Sequence, residues 1–127
     1  MNTLARSSMA RLLAGVCLFG FVVSVSAQDL AKTAPKQTKV TLDNDRVRVI
    51  EITLKPGEKT GMHSHPPHIL YFVTGGKLRT SFSDGKSTET EVKPGATQWV
   101  EPVTHNNENI GTTEVKAVVV EFKDKGH

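Results

Sequence analysis

Apolar and polar positions alternate in short bursts from Lys39 onward, and nearly every burst stops at a turn signal. Val47, Val49, Ile52 and Leu54 mark a strand across 46–54, closed by Pro56-Gly57. The nearly continuous apolar run ILYFVT at 69–74 predicts a strand buried on both faces. Gly75-Gly76 predicts a tight hairpin after it. Residues 78–82 follow, and Asp84-Gly85 is a strong two-residue hairpin turn. The pattern alternates again over 88–92, turns at Pro94-Gly95, and resumes over 97–101 around Trp99 and Val100. The stretch 114–122 (EVKAVVVEF) is the last long strand. No 11-residue window over 39–123 carries a persuasive helical period. Short strands parted by Gly and Pro turns predict an all-β fold, a sandwich or barrel.

A weaker signal is an internal echo. Lys55-Pro56-Gly57 and Lys93-Pro94-Gly95 stand 38 residues apart, each after a strand and each ahead of a stretch ending in histidine. Two similar halves feeding one site suit a two-sheet roll with its pocket between the sheets.

The first 38 residues break the pattern. Arg6 and Arg11 make a basic start, 12–25 is an apolar run of 14 residues, and Val25-Ser26-Ala27 puts small residues before Gln28. That sequence predicts a secretory signal over 1–27, cleaved before Gln28, and a secreted or periplasmic protein. The run is shorter than the about 18–20 residues a membrane span needs, so no stable membrane insertion is expected after cleavage. Cys17 sits mid-run with Leu18, Phe19 and Phe21 behind it, which argues against a lipoprotein. Residues 28–38 (QDLAKTAPKQT) are polar, hold Pro35 and predict a flexible lead-in. The single domain is then 39–124.

Removing the leader changes the charge. The 127 residues hold 16 Lys+Arg and 13 Asp+Glu, a net of +3, but two of the arginines lie in the leader. The remaining 100 residues carry 14 against 13, a net of +1. So weak a field excludes nucleic acid and anionic lipid as partners. The one cysteine also leaves with the leader. Thiolate ligands, thiol nucleophiles and disulfides are thereby excluded, and the chemistry falls to His, carboxylate, hydroxyl and amine groups.

Four of the five histidines fall between 63 and 105. His63 and His65, in the run HSHPPH, are two apart. On a strand such residues share a face, so both imidazoles can reach one ion. His105, from a distant segment, supplies a third. Three neutral imidazoles suit Zn, Cu, Ni, Fe or Mn and leave positions open for water or a substrate. His68 is a candidate fourth ligand if a kink at Pro66-Pro67 swings it inward, and otherwise a rim residue. Met62, Tyr71 and Trp99 are candidates to line the pocket, with core packing their ordinary role. Lys77 and Arg79 read as a solvated face, Glu101 as a solvated strand end, and Asn109 as a turn holder.

The spacing Gly57-x5-His63-x-His65-x3-Ile69-x6-Gly76 resembles the first motif of the cupin superfamily, G(X)5HXH(X)3,4E(X)6G, with Ile69 where the family usually has Glu. The later stretch Gly95…Pro102-Val103-Thr104-His105-x3-Asn109 is similar to the second motif, G(X)5PXG(X)2H(X)3N, with the middle Gly missing and Gly95 to His105 one residue short. The resemblance covers roughly 46–122. It implies a double-stranded β-helix, or jelly-roll barrel, with a metal inside held by His63, His65 and His105. Ile69 cannot bind metal, so the implied site is three-histidine and keeps the ion's full +2 charge, which favours an anionic, chelating ligand. The resemblance further implies a small-molecule ligand or substrate and a homodimer formed through sheet edges.

Two functions fit. One is a metal-dependent oxidoreductase, dioxygenase-type, acting on a small organic acid. The other is a non-catalytic metal- or ligand-binding module, favoured by the short chain, the missing Glu and the lack of an obvious base.

Overall fold

The computed structural model describes residues 28–124 and, ahead of them, Gly15; the leader expected over 1–27 otherwise lies outside the described residues. One helical turn, α1 (Leu30–Thr33), precedes the strands β1 (Thr38–Asp43), β2 (Val47–Leu54), β3 (His63–His65), β4 (His68–Phe72), β5 (Gly76–Phe82), β6 (Ser87–Val92), β7 (Thr97–Val100), β8 (Val103–Asn109) and β9 (Val115–Phe122). They form two antiparallel sheets, ordered β1-β2-β9-β4-β7 and β3-β8-β5-β6. This is the double-stranded β-helix expected of the sequence. Among the described residues no helix is long and apolar enough to cross a membrane.

Period-two patterning sets which faces meet. On β9, Val115, Ala117, Val119 and Glu121 are buried, while the residues between them are more exposed. Leu54 of β2, Phe72 of β4, Leu78 of β5 and Val92 of β6 join Val115 and Ala117 in one core cluster. Leu30, Ala34, Ile50 and Val119 form a second. The 38-residue echo has a structural basis, because Gly57 and Gly95 close their two turns at φ of +84° and +83°.

Three expectations are corrected. Residues 28–38 are packed rather than flexible. The Asp29 carboxylate caps α1 by accepting from the N–H groups of Ala31 at 2.9 Å and Lys32 at 3.3 Å. Leu30 is fully buried against Ile50 and Val119, and the Gln28 carbonyl accepts from Ser64 N–H at 2.8 Å. The signal, Leu30 and Ala34 one turn apart, is too short to show as a period.

Strand β4 is buried on one face. His68, Leu70 and Phe72 face inward, while Tyr71 is 44% exposed and the following Val73 is 48% exposed. Its apolar continuity reflects a partly exposed outer surface, where Ile69 pairs with Trp99 and Val120.

Gly75-Gly76 is no hairpin. It carries the chain from one sheet to the other, since β4 and β5 belong to different sheets. A Cβ on Gly76 would stand 2.6 Å from a Val115 methyl, so the crossing needs a residue without one. The Asp84-Gly85 turn does join β5 and β6 as an antiparallel hairpin.

Candidate metal centre

The short strand β3 presents both of its histidines to the interior, with Ser64 between them. His63 is 1% exposed and His65 6%. Strand β8 lies antiparallel to β3 and sets His105 directly opposite His63. The three imidazoles therefore converge from two neighbouring strands. Their ring centres lie 4.7 Å (His63–His65), 4.8 Å (His63–His105) and 5.3 Å (His65–His105) apart. Each offers a nitrogen, and these atoms all lie within 4.8 Å of one another.

Hydrogen bonds fix which nitrogen faces the centre. His63 Nδ1 lies 2.7 Å from the Gly61 carbonyl, which can only accept, so Nδ1 carries the proton. Gly61 holds φ +76°, and a Cβ there would sit 2.8 Å from the Thr33 methyl. His65 Nδ1–H donates to Glu121 Oε2 at 2.9 Å. Asn107 Oδ1 accepts from the Thr80 hydroxyl at 2.9 Å, which turns its amide Nδ2 toward His105 Nε2 at 3.3 Å.

With both Nδ1 protons committed, Nε2 of His63 and Nε2 of His65 face each other at 2.9 Å as lone pairs. Two lone pairs this close repel unless a positive centre lies between them, either a proton or a metal ion. Burial opposes a proton on His63, which it lowers to about 4, and on the neighbouring His105, which it lowers to about 3 with the surrounding imidazoles adding to the effect. The separation lies within reach of one ion whose bonds to imidazole are about 2.0–2.1 Å. The donor set thus fits a divalent transition metal.

Glu121 escaped the sequence reading. It is 3% exposed, and its Oε1 accepts from Arg48 Nε at 2.9 Å. Burial alone would raise its pKa, but the hydrogen bonds from His65 and Arg48, with the Arg48 charge, outweigh burial and hold it below the usual carboxylate value. Arg48 continues the chain to the Asp29 carboxylate. The signal was its phase: Glu121 follows Val115, Ala117 and Val119 at spacing two, on the face every neighbour buries.

His68 stands beside the trio. It is 1% exposed, its Nδ1–H donates to the Pro66 carbonyl at 3.0 Å, and its ring lies on His65 with centres 4.4 Å apart. It is outside the group whose ligand atoms cluster within 4.8 Å. Register on β4 turns it inward, and the same register turns Ile69 outward. The lack of Glu at 69 therefore removes nothing from the interior.

The expected aromatic lining is also corrected. Met62, Tyr71 and Trp99 are 42%, 44% and 56% exposed, and none of them lines the cavity. Trp99 instead stacks near Phe122 and donates to Glu101 at 2.8 Å. Arg79 pairs with Glu89 and Glu108 on a solvated face, with Lys77 beside it. Asn109 holds the turn that follows it, donating to Thr113 O and accepting from Gly111 N–H.

A cavity of about 260 Å³ opens beside the trio between the two sheets, walled at this end by His68 and His105.

Comparison with known proteins agrees with this architecture. The family model described as a cupin domain matches residues 50–121. A cupin domain from Bordetella pertussis Tohama I is 32% identical, covers 68% of this chain and 92% of its own, and superposes with a TM-score of 0.64. A protein from Bacillus halodurans is 18% identical over 75% of this chain and 74% of its own, with a TM-score of 0.58. An RmlC-like cupin family protein with a double-stranded β-helix fold, from Methanocaldococcus jannaschii, is 18% identical over 68% and 78%, with a TM-score of 0.55. The last two show shared fold alone. No curated protein matches the chain at a significant level.

Proposed function

The chain belongs to the cupin family, and from that membership, the histidine cluster and the apolar run at 12–25 we propose an extracytoplasmic protein that holds a divalent transition metal through His63, His65 and His105 and offers it to a small-molecule ligand. The observation that carries the reading is the pair of lone-pair nitrogens of His63 and His65 at 2.9 Å, both Nδ1 protons being engaged elsewhere. When bound, the metal supplies Lewis acidity toward a coordinated oxygen.

The protein's own groups do the rest. Gly61 O and Glu121 lock the tautomer and plane of two rings. Apolar side chains from both sheets make up most of the chamber walls. That chamber favours the catalytic form of the reading, a dioxygenase-type reaction on a small organic acid, over a non-catalytic module. A carrier of metal alone has no use for an apolar chamber that reaches one of its ligands, His105. The apolar run at 12–25 supports export, and the exposed Val40 and Leu42 on edge strand β1 support self-association into a homodimer.

Elemental analysis of untagged protein tests the site. We expect one equivalent of metal in the wild type and loss of it in His63→Ala, His65→Ala and His105→Ala. Full stoichiometry in all three variants would overturn the assignment.

A further inference from the structure

The walls of the chamber restrict what can enter it. Leu70, Phe72, Leu78 and Val103 make its body, and its remaining polar lining, apart from the histidines, is Thr60, Thr80, Thr88, Thr90, Gln98 and Asn107. Among its lining residues there is no Lys, Arg, Asp or Glu. Thr88, Thr90 and Gln98 are exposed and lie on β6 and β7, which are edge strands of the two sheets. The entrance is therefore the seam between those edges, and it is neutral too.

A charged group moved from water into such walls loses its hydration and gains no partner, which is strongly unfavourable. Only the histidine end can repay a charge. Three neutral imidazoles leave a divalent ion its full +2, and the nearest carboxylate, Glu121, is already matched by Arg48 at 2.7 Å. One anionic head therefore has a place, and a second charge at the far end has none. Size is limited as well. At about 30 Å³ per water the cavity equals roughly nine waters, so its occupant has on the order of ten non-hydrogen atoms.

We propose that the chamber takes a small, singly anionic oxygen chelator with an uncharged apolar body, and rejects ligands that carry a second charge away from the chelating head. The inference deepens the metal reading above and rests on it.

Hydroxamates, singly anionic two-oxygen chelators, provide the probe. Wild-type protein is loaded with zinc, dialysed and analysed for metal before and after titration calorimetry. Three ligands are compared: acetohydroxamate, 4-methylpentanohydroxamate, and the monohydroxamate of succinic acid. The last two have the same number of non-hydrogen atoms and nearly the same shape, with a remote isopropyl group in one and a remote carboxylate in the other. The branched ligand is expected to bind about ten-fold more tightly than acetohydroxamate. It is expected to bind at least about 100-fold more tightly than the succinic one. Thr88→Lys, at the exposed entrance, is expected to recover the succinic ligand by about ten-fold.

Equal binding of the branched and succinic ligands to fully metallated protein would overturn this inference and leave the metal site standing. So would acetohydroxamate binding as well as the branched ligand. Failure to retain zinc would overturn the metal reading and this inference with it.

Discussion

His65 Nδ1 and Glu121 Oε2 lie 2.9 Å apart across 56 residues of chain, and both side chains are almost wholly buried. The carboxylate sets the tautomer that leaves His65 Nε2 without a proton, and it fixes the plane of the ring. Arg48 offsets its charge from behind, so the carboxylate is not stranded in the core. Glu121→Gln keeps the shape and removes the charge. Metal affinity is expected to fall by about 10–100-fold while one equivalent still binds at saturation. A chelator-competition titration reads this directly, and an unchanged dissociation constant would remove Glu121 from the site.

The metal-free protein should lose stability in acid. Burial pushes His63 down to about 4 and His105 down to about 3, and it lowers His68 as well. Unfolded histidine titrates near 6.5. Between those values the unfolded chain takes up protons that the folded chain refuses, so the stabilisation is complete above 6.5 and drains away as pH falls toward 3. The steepest slope is about 1.4 kcal/mol per pH unit for each such histidine. Glu121, held below the usual carboxylate value, acts in the same direction at lower pH. Urea midpoints in the presence of a chelator should therefore drop between pH 7.5 and 4.5, and less so in His105→Leu. A flat profile would contradict the burial of the cluster.

The sequence makes the fold legible because its turns are explicit. Asp84-Gly85, Pro56-Gly57 and Pro94-Gly95 all fall where the chain reverses. His63 and His65 were legible because spacing two on a strand is a direct statement about faces, and His105 through its resemblance to the second motif. What stayed hidden depended on pairing between distant strands. The role of Glu121 exists only because β9 runs beside β2 and β4, and the flanking apolar residues of that strand drew attention away from the one charge in their phase. The inward turn of His68 likewise follows from where β4 begins, which the run of apolar residues at 69–74 obscured.

His68 offers a way to separate wall from ligand. Its Nδ1–H is tied to Pro66 O, and its ring rests on His65 outside the ligand-atom cluster. His68→Asn should retain one equivalent of metal with affinity lowered by less than about ten-fold, whereas His63→Ala should lose the metal. The variant should bind chelating ligands differently, since it changes the cavity wall. Loss of metal equal to that in His63→Ala would make His68 a fourth ligand.

The N-terminal strap is the last link to the site. Leu30 is fully buried, and Asp29 both caps α1 and pairs with Arg48, which holds Glu121 against His65. Leu30→Ala removes a buried side chain from the cluster with Ile50 and Val119, at a cost of about 3 kcal/mol. Asp29→Ala removes a cap worth about 1 kcal/mol and frees one side of Arg48. The two effects should separate in measurement. Leu30→Ala should lower the melting temperature with little change in metal affinity per folded molecule. Asp29→Ala should cost less stability yet weaken metal binding by about two- to five-fold, through the loosened Arg48–Glu121–His65 chain. If Asp29→Ala leaves affinity untouched, the strap serves the core alone and the chain of polar contacts ends at Arg48.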